Sequence, residues 1–136
     1  MISGERTLFP RQFSDIDELV EQCWQLVGRE LGEKYGPKEI KIRMALTEAI
    51  INAWKHGNRR RPDLPIVFRW RFAKNFTFEV IDAGAGFNFL DLPDPTRDEQ
   101  MFLEAGRGIF IIKTFARSVS WRDQGRHLIA TFLPQP

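Results

Sequence analysis

Glu48 and Asn52 stand four residues apart in the run from Leu46 to Asn58. On a helix of 3.6 residues per turn, that spacing sets a carboxylate and a carboxamide on one face, with Lys55 or His56 continuing the stripe. The neutral carbonyl oxygen of Asn52 suits a hard Mg2+ ion, which prefers oxygen ligands and keeps water and phosphate in its shell. Glu48, one turn earlier, can accept the proton of a hydroxyl attacking a terminal phosphate. Ile42, Ala45, Ala49 and Ala53 form an adjoining apolar stripe, so the polar pair belongs at the rim of a cleft.

Asp82 follows next, where an apolar run meets Gly84 and Gly86. A carboxylate there can accept a hydrogen bond from an exocyclic amino group. The two glycines allow the backbone to approach a flat base closely or to take positive φ. Gly106 and Gly108 then precede Ile109 to Phe115, an arrangement that offers free N–H groups and the positive end of a helix dipole to phosphates. Arg107 between them either adds a charge-assisted donor or points to solvent. Each piece alone is a common pattern, since Asp-x-Gly also makes polar turns and helix charges are usually solvated. In this order they describe a nucleotide pocket. No Gly-Lys-Ser/Thr follows, so it is not a Walker loop, and Phe87 with a loop rather than a helix after Gly86 excludes a Rossmann turn.

The three pieces resemble the N box (Glu48 to Asn58) and the two glycine boxes (Asp82 to Phe87, Gly106 to Gly108) of the GHKL or Bergerat-fold ATPases. The similarity is greatest to the small anti-sigma-factor serine kinases. It implies an α+β two-layer sandwich, a mixed and largely antiparallel sheet with helices on one face, forming one histidine-kinase-like ATPase domain over residues 1–136. It implies ATP and Mg2+ as cofactors, Glu48 as catalytic base and Asn52 as metal ligand. Asn52, Lys55, Asp82, Gly84, Gly86, Gly106, Arg107, Gly108 and Ile109 are its expected nucleotide contacts, Asp82 selecting adenine. Implied partners are a sigma factor, a STAS-type antagonist whose serine is phosphorylated, and a second copy of the chain. The alternative is a non-catalytic ATP-binding module that sequesters a regulator. A third reading, the detached ATP domain of a histidine kinase, is not expected, because no dimerisation helix pair with a phosphoacceptor histidine precedes the domain in this sequence. His56 closes the N box, where a helix-end structural role outweighs a phosphoacceptor one. Two positions depart from the pattern: Gly125 is followed by Arg126 and His127 instead of threonine, and Arg117 stands where an acidic residue often follows the last helix.

Composition limits the alternatives. A chain of 136 residues matches one domain with a real core. Lys+Arg 20 against Asp+Glu 18 is too even a balance to argue for nucleic acid. Cys23 is the single cysteine, which excludes an intramolecular disulfide, and no signal pattern or membrane-length apolar run is present. A cytoplasmic protein is expected.

The elements that must position these residues are legible as patterns. Arg6 to Phe13, broken by Pro10, suits an edge strand. Ser14 with Asp17 opens an amphipathic helix that ends near Gly32. Pro37 starts the helix that carries Glu48 and stops around Gly57 in a left-handed residue. Ile66 to Phe72 and Phe76 to Val80 alternate as a hairpin that feeds Asp82. Asn88 to Glu104 reads as a loop long enough to be a lid, Gly108 to Ala116 as a buried helix, and Val119 to Phe132 as a closing hairpin across Asp123 to Arg126. Arg59, Arg60 and Arg61 make a basic loop beside the cleft, a solvated run by default.

Overall fold

A computed structural model describes residues 2–85 and 100–136, with residues 100–105 described as backbone. The strands are β1 (Ile2–Leu8), β2 (Ile66–Phe72), β3 (Phe76–Asp82), β4 (Ser118–Arg122) and β5 (His127–Phe132), and the helices α1 (Ile16–Tyr35), α2 (Glu39–Asn52) and α3 (Gln100–Phe115). One five-stranded sheet runs in the order β1-β2-β3-β5-β4. Every pairing among the described residues is antiparallel, so the expected mixed sheet is antiparallel throughout this part.

Strand alternation decides where the core lies. Ile66 and Phe68 on β2, Phe76, Phe78 and Val80 on β3, and Leu128, Ala130 and Phe132 on β5 are buried together beneath the helices. Phe78 stacks on Phe132 with centroids 5.7 Å apart. Each fully buried phenyl ring contributes about 1.5–3 kcal/mol. The opposite face carries Glu5, Arg69, Glu79 and His127, joined in Arg69–Glu5 and His127–Glu79 pairs. This one-sided α+β sandwich is the expected architecture.

Boundaries differ from the pattern reading in instructive ways. The first strand lies at Ile2–Leu8 rather than Arg6–Phe13, because the chain turns at Pro10 into a short 3-10 turn, Phe13–Asp15. Asp15 rather than Ser14 stands directly before α1, and its Oδ2 accepts from the Arg11 and Gln12 amides at 2.9 and 3.1 Å across the 3-10 turn rather than from the helix. At Gly32 (φ 52°, ψ −154°) α1 breaks as expected, but one further turn follows to Tyr35. Gly57 does not close α2 in a left-handed conformation. A single π turn, Ala53–Gly57, ends α2 instead, sealed by the Asn58 amide donating to the Ala53 carbonyl at 2.7 Å, and the left-handed residues are Arg59 and Arg60. In the basic loop Arg60 lies over the Trp54 ring and Arg61 pairs with Asp63.

The largest correction concerns α3. It begins at Gln100, so the last residues of the expected loop are helical and Gly106, Gly108 and Ile109 lie inside a helix. Their N–H groups therefore run along the helix toward carbonyls four residues earlier, not toward a ligand. Gln100, Met101, Leu103, Glu104 and Ala105 are good helix formers, and the helix carries the two glycines at a cost of about 1 kcal/mol each.

Candidate functional site

α2 holds its two polar candidates at the edge of the buried layer. Ile42, Ala45, Ala49 and Ala53 are buried as expected, and Glu48 and Asn52 open on a cavity of about 450 Å³ that also meets Lys55, His56, Arg107 and Gly108. That volume lies in the range of ligand sites, about 300–1,000 Å³. Burial pushes the Glu48 carboxyl above its ordinary value, while the Arg107 guanidinium opposes the shift. A carboxylate with raised affinity for protons is a better base. Arg107 thus faces the cavity and not only solvent.

At Gly108, α3 comes close to two side chains of α2. A Cβ there would sit 2.9 Å from Glu48 Oε2 and 3.3 Å from Asn52 Nδ2. The glycine matters for this close approach rather than for a free N–H. Asn52 is buried, yet its Nδ2 has no hydrogen-bond partner among the described residues. A buried polar atom without a partner costs about 1–3 kcal/mol, and a site that uses it is the usual reason it persists. A half-turn of the amide presents oxygen instead, so Asn52 fits an oxygen-ligated cation.

His56 is also buried, and burial with the neighbouring Lys55 and Arg60 charges lowers its pKa to about 4. It is therefore a neutral imidazole at pH 7, in keeping with a structural role at the helix end. Cys23 is fully buried and its thiol is pushed up to about 12, which makes it inert.

Asp82 reaches the helix layer because it shares strand parity with Phe76, Phe78 and Val80. Burial pushes its carboxyl up to about 6, against the Gly84 N–H that donates to Oδ1 at 2.9 Å and the charge of Arg126; Asp123 adds to the rise. Gly57 is glycine because the Asp82 carboxylate occupies the place of a Cβ. Gly84 is glycine because its own Cβ would fall on the Gly57 carbonyl. Asn58 joins the two segments, its Oδ1 accepting from the Ala83 amide at 2.8 Å and its Nδ2 donating to the Pro65 carbonyl at 3.1 Å. In the sequence Asn58 stood out only as the last residue of the N box, and its position directly after the N-box glycine was the available signal. Asp82, Gly57, Asn52, Gly125 and Arg126 enclose a second space of about 10 Å³, chemically suited to a base edge but smaller than a base.

Of the residues expected at the site, Glu48, Asn52, Lys55, Arg107 and Gly108 line the larger cavity, and Asp82 lines the smaller one while accepting from the Gly84 amide. Ile109 is buried in α3, and Gly106 has nothing within 4 Å of where a Cβ would stand. Gly86 lies outside the described residues.

Residues 16–132 match the model of the histidine kinase-like ATPase domain family. The chain belongs to that family. No curated protein matches it. The α+β sandwich with its antiparallel sheet is the fold of such GHKL-type ATPase domains, whose common ligand is ATP. Among the described residues no helix is long and apolar enough to cross a membrane.

For this ATPase domain the buried carboxylate at Asp82 has a measurable signature. The folded state holds the Asp82 proton more tightly than the unfolded chain, where the pKa is near 3.8, so this group's stabilising contribution is full below that pH. It is lost as pH rises through about 6. Asp82→Asn removes the buried charge and is expected to raise the thermal midpoint at pH 8 by a few degrees, while ATP affinity falls about tenfold. Scanning fluorimetry and calorimetry on one sample read both; an unchanged affinity would remove Asp82 from the base contact.

Proposed function

We propose that this domain is an ATP-dependent protein serine kinase of the anti-sigma-factor type: it binds Mg-ATP between α2 and α3, phosphorylates a STAS-type antagonist, and holds a sigma factor when the antagonist is phosphorylated. The observation that carries the reading is the placement of Glu48, a carboxylate with raised proton affinity, in the same cavity as Asn52, Lys55 and Arg107. A pure binding module has no use for a base at that place.

In this reading Glu48 takes the seryl proton and Asn52 turns its amide oxygen to the ion. Lys55 and Arg107 offset the negative charge of the phosphates, and Asp82 accepts from the adenine amino group. Mg2+ supplies neutralisation of charge on the phosphate oxygens. Asn52 would hold that ion, and phosphate oxygens and water would complete its shell. The experiment is incubation with Mg-ATP and a candidate STAS protein, following added phosphate by mass spectrometry. Phosphoserine is expected. ATP and partner binding without phosphoserine would replace the kinase with an ATP-gated sequestering module.

Asn52→Ala separates the ion from the base. Because the Asn52 Nδ2 has no partner among the described residues, the variant is expected to keep its thermal midpoint. Its affinity for ATP in Mg2+ should fall about tenfold or more, with metal-free ADP binding little changed. Calorimetry across a Mg2+ titration checks this, and equal ATP affinity at every concentration would assign the ion to another residue.

A further inference from the structure

Arg126 lies at the start of β5, where the family resemblance led to an expectation of threonine. Its backbone carbonyl accepts from the Asp82 amide at 2.9 Å, which extends the β3–β5 pairing by one step into the site. Its side chain is about three-quarters buried (26% exposed) and its donors are directed at the turn after Asp82. Nε donates to the Gly84 carbonyl at 2.7 Å and one terminal nitrogen to the Ala85 carbonyl at 2.9 Å, while the other pairs with Asp123 at 3.0 Å. The planar fork thus ties two successive carbonyls, which an ammonium cannot reproduce.

We infer that Arg126 is a positioning residue for base selection: it fastens the Ala83–Ala85 turn and so fixes the direction in which the Asp82 carboxylate accepts. The inference rests on the adenine role proposed for Asp82. Asn58 pins the turn from the α2 side, through the Ala83 amide, and Arg126 pins it from the β4–β5 hairpin, so the carboxylate is held between two fixed elements. Selectivity for one base over another depends on a buried acceptor that cannot turn to suit the wrong partner. A turn freed on the Arg126 side would let Asp82 swing, and the penalty against guanine would shrink. The guanidinium charge beside Asp82 also favours the ionised, accepting form.

The test compares wild type, Arg126→Ala and Arg126→Lys, measuring ATP and GTP affinities by calorimetry and hydrogen exchange of residues 83–85 without nucleotide. The alanine variant is expected to lose about tenfold of the ATP-to-GTP affinity ratio and to exchange faster at Ala83 and Gly84. The lysine variant, able to reach one carbonyl, should fall between on both readouts, an ordering that a general loss of stability would not produce. A wild-type preference for ATP that persists unchanged in both variants overturns the inference and leaves the adenine reading standing. A wild type without preference overturns both. Should the alanine variant fail to fold, the lysine variant decides alone, an unchanged ratio counting against the inference.

Discussion

Glu48→Gln is expected to leave ATP and partner binding intact while phosphate transfer to the antagonist serine slows by about 100-fold or more. The substitution keeps size and hydrogen-bonding capacity and removes only basicity. Glu48 is held at the cavity wall by α2, whose buried stripe fixes the helix, and Gly108 of α3 packs against its Oε2. The amide of glutamine can occupy the same place, so fold and nucleotide affinity should survive. Single-turnover transfer, followed by mass spectrometry alongside calorimetric ATP affinity, separates chemistry from binding. Because burial raises the Glu48 pKa, the wild-type rate should also fall on acidification at a pH above the ordinary glutamate range. A variant that transfers phosphate at the wild-type rate would show that Glu48 is not the base.

Gly84→Ala should be the most disruptive single methyl in the described part of the site. Its Cβ would fall on the Gly57 carbonyl, with the Asn58 amide nitrogen 3.3 Å away. Those atoms are backbone and belong to the π turn sealed by the Asn58 amide to Ala53 carbonyl bond of 2.7 Å, so they cannot swing aside as a side chain would. The turn must move instead, and it would strain its bonds to Asn58, Asp82 and Arg126. Overpacking of this kind costs about 1–3 kcal/mol, or roughly 3–15 °C in thermal midpoint for a domain of this size, and ATP affinity should fall by more than about tenfold. Gly106→Ala supplies the contrast. Nothing lies within 4 Å of its Cβ position and the residue is inside α3, so alanine should stabilise by up to about 1 kcal/mol. Melting curves of the two variants moving in the same direction would contradict the close packing of the Asp82 turn on the π turn.

Periodicity in the chain was enough for the sheet-and-helix architecture and the buried stripe of α2. A 3.6-residue repeat sets Glu48 and Asn52 beside the alanine stripe, and a two-residue repeat separates the core face of the hairpin strands from the solvated one. Such patterns are local, and local patterns survive folding when one face must be buried. The roles of Gly57 and Gly108 emerged only with the fold. Gly57 looked like a left-handed stop, yet its place is set by a carboxylate arriving from a strand 25 residues later. Gly108 looked like part of an open phosphate loop and lies within α3, where a Cβ would meet the Glu48 and Asn52 side chains. Nothing in spacing reveals a close approach between distant segments, because the missing Cβ is defined by its neighbour. The same reason hid Arg126, whose guanidinium finds the Gly84 and Ala85 carbonyls only after β5 pairs with β3 and brings the closing hairpin against the turn after Asp82.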